Sequence, residues 1–300
     1  MELAMIGLGR MGANMAERLT RGGHRVHGYD PGEPARKQAA ERGIAIADSL
    51  QAVVAALPSP RIVWVMVPAG VVDDTLDTLL PLLSAGDTVI DGGNSNYKET
   101  MRRGARLAEA GVHYVDSGTS GGVWGLAEGY SLMIGGDKQA VEALRPVFET
   151  LAPAADRGWG HVGPSGAGHF TKMIHNGIEY GMMQAFAEGF AILERKEAFG
   201  IDLQQVAEIW RHGSVVRSWL LDLTSDALKK NPTLAGIAPY VEDSGEGRWT
   251  VAEAIDLDVS APVITMSLLE RLRSREDDSF ADKLLAAMRN EFGGHRIKQG

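Results

Sequence analysis

The sequence contains no cysteine. Disulfides, thiolate zinc sites and thiol nucleophiles are therefore excluded, which suits a reducing, cytoplasmic setting. There is no apolar run long enough to span a bilayer, so no membrane partner is expected. The opening stretch, residues 1–7, is too short and wrongly flanked for a secretory signal. Basic charge is also in short supply, with 30 Lys and Arg against 39 Asp and Glu and a formal net charge of -9. A nucleic-acid partner would need basic surface to displace counterions, so none is expected. A small anionic substrate stays compatible, because a few local Arg and Lys can hold one. What remains is an ordinary globular balance, 44% hydrophobic and 23% charged over 300 residues, enough for one large domain or two medium ones.

The first half alternates strand and helix patterns. Residues 2–6 form a short apolar run that reads as a buried strand. It ends at Gly7, Leu8, Gly9, Arg10, Met11 and Gly12, and residues 13–19 read as a helix. This is G-x-G-x-x-G between strand and helix, the context in which that spacing binds a dinucleotide. The glycines allow a tight turn and close approach to a pyrophosphate, and the helix N-terminus presents N–H groups to its charge. Residues 25–29 read as a second strand, with Asp30 at its end. An acidic residue about 20 positions past the fingerprint commonly bonds the adenosine ribose. The plainer alternative is a glycine turn needed only for packing. Further strands are expected at 62–67 (with Val67 at its end), 88–90, 113–115 and 132–134, the last closing the sheet. Helices are expected at 71–83, 98–110 and 139–151. Such alternation implies a parallel sheet with right-handed crossovers, and ligands gather beyond the carboxyl ends of its strands. The polar clusters at Asn94–Ser95 and at 117–122 lie at such ends.

From Pro164 the pattern becomes helical, with a long apolar stretch at 166–195. Its glycines at 168, 177, 181 and 189 lower helix propensity and suit close-packed neighbours. Further helices are expected at 203–210, 218–228, 251–257, 262–273 and 280–290. The expected fold is therefore an α/β N-terminal Rossmann-type doubly wound parallel sheet followed by an all-α C-terminal domain. The glycine-rich stretch 158–168 marks the boundary, giving domains 1–162 and 163–300.

Lys172, Asn176, Glu179 and Tyr180 recur at i, i+4, i+7 and i+8, along one face of the long helix, with His175 beside them. Their neighbours are apolar. A Lys and a Glu on a mostly buried helix are costly unless paired or used. They form either a structural ion pair or, near a nicotinamide, a base and an acid.

The motifs fall in the order found in 6-phosphogluconate dehydrogenases: residues 7–19 (GLGRMGANMAERL), 91–95 (DGGNS), 116–122 (DSGTSGG), 131–136 (SLMIGG), 172–180 (KMIHNGIEY), 209–220 (IWRHGSVVRSWL) and 292–295 (FGGH). The chain resembles that family over nearly its whole length, in a short form without the second helical unit of its long members. Related β-hydroxyacid dehydrogenases share the fingerprint and a Lys-x-x-x-Asn pair but typically lack the Glu-Tyr.

The resemblance implies oxidative decarboxylation of 6-phospho-D-gluconate to ribulose 5-phosphate with NAD, and needs no metal because an ammonium can polarise the ketone. It implies Lys172 as general base and Glu179 as general acid. It implies Asn94, Ser120, Gly121, Gly122, His175 and Asn176 as sugar-acid ligands. Tyr180, Arg217, Arg289 and His295 are implied as phosphate ligands, although a helical Arg is by default a solvated charge. Cofactor contacts fall to the fingerprint residues, Asp30, Val67 and Asn94. Asp30 favours NAD, with NADP the lesser alternative. Long members also use a lysine and a threonine where this chain has Ser244 and Glu246, so either Arg248 substitutes or the loop points elsewhere. The family further implies a homo-oligomer, dimer or tetramer, with each C-terminal tail reaching a neighbour's site. Two other readings are a dehydrogenase of smaller unphosphorylated hydroxy acids and a non-catalytic NAD(H) sensor.

Overall fold

The structure is a computed structural model that describes residues 1–293 and 296–298. His295 lies outside the described residues. The chain divides into two compact units, Met1–His175 and Asn176–Gly300.

The first unit is built on one eight-stranded sheet. Its strands are β1 (Glu2–Ile6), β2 (Arg25–Tyr29), β3 (Ala45–Ile46), β4 (Ile62–Val65), β5 (Thr88–Asp91), β6 (His113–Ser120), β7 (Ser131–Gly135) and β8 (Trp159–Gly163), in the order 3-2-1-4-5-6-7-8. The helices are α1 (Arg10–Arg21), α2 (Glu33–Glu41), α3 (Leu50–Ala55), α4 (Val72–Leu79), α5 (Tyr97–Glu109), α6 (Gly125–Glu128), α7 (Lys138–Ala143) and α8 (Arg145–Leu151). Strand side chains alternate between faces. Leu3, Met5, Trp64 and Ile90 join one buried cluster with Met15, Leu19 and Phe148. Ala4, Ile6, Val63, Val65 and Val89 join another with Leu76 and Leu107. Strands buried on both faces lose the polar alternation, which is why they read as continuous apolar runs.

β3, α2, α3 and α6 are additional to the expected elements, β6 runs on past the expected 113–115 to Ser120, and further features differ from the expectation. The pair β6–β7 is antiparallel. The ten residues between them are too few for a crossover, which takes about a dozen or more. The strand at 132–134 is not the last, because β8 pairs parallel with β7. Its sequence, WGHVG, is glycine-rich and partly exposed, so it lacks any apolar period. The helix expected at 139–151 is two helices, broken at Leu144, with Pro146 entering the second. Proline cannot donate an interior helix bond but fits a first turn.

The helix α9 (Ala167–Arg195) begins in the first unit and runs on into the second. The second unit continues with α10 (Leu203–Arg211), α11 (Trp219–Lys230), α12 (Glu246–Asp256), α13 (Pro262–Arg273) and α14 (Phe280–Gly293). Phe190, Ala207, Leu221 and Leu228 form its buried cluster. The α9 glycines permit close approach as expected. A Cβ at Gly177 would fall 2.6 Å from Thr250, and one at Gly181 would fall 3.2 Å from Val263. Gly189 has nothing nearby.

Candidate active site

The turn after β1 accepts only glycine at two positions. Gly7 has φ +92°, and a Cβ there would lie 2.5 Å from the Met66 carbonyl oxygen. A Cβ at Gly12 would lie 2.0 Å from the Gly7 carbonyl oxygen. The turn is thus pressed between α1 and the end of β4. Gly9 is different, with open space where a Cβ would stand. It is the N-cap of α1, no side chain caps that helix, and no acid occupies its first turn. Free helix-terminal N–H groups beside open space suit a pyrophosphate, so these residues fit a dinucleotide. Asp30 lies beside the turn. Its carboxylate accepts from Leu8 N (2.8 Å) and Gly32 N (2.7 Å), and Arg36 donates to the Asp30 and Pro31 carbonyls.

Asn94 is exposed on the loop after β5, and the start of that loop is fastened from below. Asp91 is buried and accepts from Ser95 Oγ (2.7 Å), Tyr114 Oη (2.9 Å) and Gly93 N (3.1 Å). Arg103, also buried, approaches Asp91 at 3.8 Å and pairs with Asp73 at 2.9 Å. Burial, followed by the charge of Asp91, pushes the Tyr114 phenol well up. The Arg103 bond holds the Asp73 carboxyl down to about 2. A Cβ at Gly92 would lie 2.2 Å from Trp64 Nε1, which brings the loop directly onto the sheet.

Ser120 ends β6, and Gly121 and Gly122 follow at φ +137° and +51°. Tyr130 lies beneath this loop, fully buried, and a Cβ at Gly125 would meet its ring at 2.0 Å. Burial raises the Tyr130 hydroxyl to about 12. Val67 stands just past the end of β4. Lys172, early in α9, is 7% exposed, and its Nζ lies 3.4 Å from His175 Nδ1.

In the second unit, α9 carries Asn176, Glu179 and Tyr180. Tyr180 is buried, and its hydroxyl accepts from Ser244 N at 3.1 Å. The Arg271 guanidinium stacks 3.5 Å from the Tyr180 ring centroid and donates to the Glu242 carbonyl. Arg248 is held elsewhere, on Asp243 at 3.1 and 3.2 Å. Asp243 also receives Arg275, and Arg248 chiefly keeps its carboxyl below the usual range. Glu246 is buried in the first turn of α12. Arg217, before α11, and Arg289, on α14, are exposed, and among the described residues no hydrogen bond joins either to Tyr180. Arg271 is not legible in the sequence because an arginine in an amphipathic helix carries no local signal; only the stacking singles it out.

A glycine turn entering α1, an acid at the end of β2 and a doubly wound sheet define a Rossmann-type nucleotide-binding fold. Residues 2–161 match the NAD binding domain of 6-phosphogluconate dehydrogenase, and residues 168–283 match the C-terminal domain of the same enzyme. An NAD(+)-dependent, decarboxylating 6-phosphogluconate dehydrogenase of Haloferax volcanii is 44% identical, with 99% of this chain and 98% of that protein covered. An NAD(+)-dependent, decarboxylating one of Bacillus subtilis is 36% identical, covering 95% of this chain and 64% of that longer protein. A Plasmodium falciparum 6-phosphogluconate dehydrogenase structure superposes with a TM-score of 0.84 at 28% identity, over 100% of this chain and 66% of that one. The chain belongs to the 6-phosphogluconate dehydrogenase family.

Proposed function

We propose that this protein oxidises and decarboxylates 6-phospho-D-gluconate with NAD, releasing carbon dioxide and ribulose 5-phosphate. The observation that carries the reading is Lys172, buried at 7% exposure on the helix that also bears Glu179, in a chain of this family. We take residues 1–162 as the dinucleotide-binding domain and 163–300 as the substrate and oligomerisation domain. The fingerprint residues, Asp30, Val67 and Asn94 hold the cofactor, which when bound accepts a hydride from C3. Lys172, as neutral amine, takes the proton of the 3-hydroxyl, and apolar burial is the setting that role demands. As an ammonium it then polarises the resulting ketone, so the carboxylate leaves as carbon dioxide and its electrons form an enediol. Glu179 gives a proton to C1 of that enediol. Asn94, Ser120, Gly121, Gly122, His175 and Asn176 orient the sugar acid. Activity with 6-phosphogluconate but not with unphosphorylated 3-hydroxy acids supports this reading; the reverse preference assigns the chain to the β-hydroxyacid class, and tight NADH binding with no turnover to a sensor.

Asp30 sets the cofactor choice. Its carboxylate is fixed at the turn by two backbone donors, where it accepts from a ribose 2′-hydroxyl and repels a 2′-phosphate. Arg36 is engaged by main-chain carbonyls. Catalytic efficiency is expected to be higher with NAD than with NADP, and Asp30→Ala is expected to narrow the gap. A wild-type preference for NADP contradicts this.

Tyr180, Arg217, Arg289 and His295 are proposed for the phosphate, and to these we add Arg271. It supplies beside Tyr180 the cation that Ser244 and Glu246 lack, while Arg248 is occupied by Asp243. Arg271→Ala is expected to raise KM for 6-phosphogluconate by roughly 10- to 100-fold, the loss of a charged hydrogen bond, with NAD binding unchanged. An unaltered KM removes Arg271 from the site.

The active protein is a homo-oligomer in which tails are exchanged. Exposed Phe280, Leu284, Leu285 and Met288 recur along α14 as an apolar stripe that a partner copy would cover. Lys172→Met and Arg289→Ala variants, each inactive alone, are expected to regain activity when their subunits exchange. For a dimer the ceiling is about a quarter of wild type, from random pairing of symmetric sites. No recovery despite demonstrated exchange means the tail acts within its own chain.

A further inference from the structure

The helix that carries Lys172 is preceded by a glycine, which has no side chain with which to cap it. Its first residue, Ala167, follows Gly166, which sits at φ +94°. A side chain at 166 is sterically barred, since a Cβ would fall 2.7 Å from Met101 Cγ and 3.2 Å from the Tyr97 carbonyl oxygen. Helix N-termini nevertheless leave N–H groups that need acceptors, most of all when buried. The acceptors come from fifty residues earlier in the chain. Asp116, in the middle of β6 and fully buried, takes Gly166 N–H on Oδ1 at 2.7 Å and His169 N–H on Oδ2 at 2.9 Å. One carboxylate thus binds both ends of the first helical turn. Only a carboxylate can do this, because an amide offers one oxygen and turns an NH₂ group on the other donor.

The surroundings are shaped for this contact. Asp116 pairs with Asp91 on one side and Gly135 on the other. A Cβ at Gly135 would strike Asp116 Oδ1 at 2.5 Å, and one at Gly168 would strike the Met133 carbonyl oxygen at 2.4 Å. Two residues beyond Asp116, a Cβ at Gly118 would lie 2.5 Å from both the Gly168 carbonyl oxygen and Lys172 Cβ. Helix and strand therefore meet backbone to backbone at the level of Lys172. Two residues further along the same strand lies Ser120, at the mouth of the Ser120–Gly121–Gly122 loop.

We infer that Asp116 is a positioning residue for the reaction, fixing the axial and rotational setting of α9 on β6 and hence the place of Lys172 relative to the substrate loop. The inference rests on the proposed function for its catalytic consequence; its structural half stands without it. Asp116→Asn keeps the size of the side chain but loses one cap bond. Misplacing a reacting group by about 1 Å costs on the order of 10²-fold in rate. The Asn variant is therefore expected to lose kcat by roughly 30- to 100-fold, with the dissociation constant for NADH unchanged. Its primary isotope effect with C3-deuterated 6-phosphogluconate is expected to rise, because hydride transfer becomes the slow step. Amide exchange over residues 166–172 is expected to speed up roughly 5- to 30-fold, the loss of a cap bond worth about 1 to 2 kcal/mol, and exchange elsewhere is expected to hold. Gly118→Ala is the second variant, which leaves the carboxylate in place and wedges the same crossing. It is expected to reproduce the loss of kcat and the raised isotope effect.

The arms separate the two claims. Wild-type protein that does not oxidise 6-phosphogluconate overturns the functional reading, and the exchange measurement still decides whether Asp116 clamps the helix. Unchanged exchange at residues 166–172 in Asp116→Asn overturns the clamp. Changed exchange with wild-type kcat and isotope effect makes Asp116 a stability element alone and overturns the positioning role. If Asp116→Asn does not fold, wild-type kinetics in Gly118→Ala overturn that role by themselves.

Discussion

Lys172→Met is expected to abolish hydride transfer while leaving NADH bound. General base catalysis contributes about 10²- to 10⁴-fold, and Lys172 is assigned two roles, so kcat should fall by roughly a thousandfold or more. Methionine matches the apolar stem, so the packing around this buried position loses a terminal nitrogen rather than a volume. The His175 contact at 3.4 Å is lost with it. NADH binding is read by fluorescence titration and is expected to match wild type, because the glycine turn and Asp30 are untouched. Lys172→Ala, unlike the methionine variant, opens space for a small amine; a free lysine amine has a pKa of about 10.4, so methylamine added at alkaline pH to that variant should restore part of the rate. Retention of more than a few per cent of turnover in the methionine variant removes Lys172 from the role of base.

Glu179→Gln is expected to separate the two halves of the reaction. In the proposed reaction Glu179 acts after the hydride has moved, so the amide variant should still form NADH in its first turnover. Protonation of the enediol should then be slowed by roughly 10²- to 10⁴-fold, since an amide has no carboxylic proton to give. Rapid mixing should show a burst of NADH approaching one per active site, followed by a slow steady state. A variant with normal steady turnover and no burst shows that Glu179 is structural, a partner in helix packing and nothing more.

Much of this architecture is legible in the residues, because local chemistry dictates it. The turn at Gly7, Gly9 and Gly12 reads directly from its spacing; a Cβ at Gly7 or Gly12 would clash with main chain, while Gly9 faces open space. The strands reached by periodicity are those buried on both faces. The face carrying Lys172, Asn176, Glu179 and Tyr180 reads from helical spacing alone. What stays hidden is non-local. The antiparallel turn of β7 depends on the length of a connection, and β8 is glycine-rich, partly exposed and recruited by its neighbour. Asp116 reads only as a polar residue at a strand end until the turn at Gly166 is seen to need its carboxylate. Arg271 is one of two arginines on α13 until it is found on the ring of Tyr180. The ion pairs of buried Arg103 under the Asn94 loop likewise join residues from α4, β5 and α5 that no spacing rule connects.

One chain couples hydride transfer to loss of a carboxylate. The most direct test supplies the purified protein with NAD and 6-phosphogluconate labelled at C1 and counts NADH and trapped labelled carbon dioxide in the same vessel. One carbon dioxide is expected for each NADH, with ribulose 5-phosphate accumulating to the same amount. NADH formed without carbon dioxide would contradict it, as would failure to reduce NAD with this substrate while a smaller hydroxy acid is oxidised.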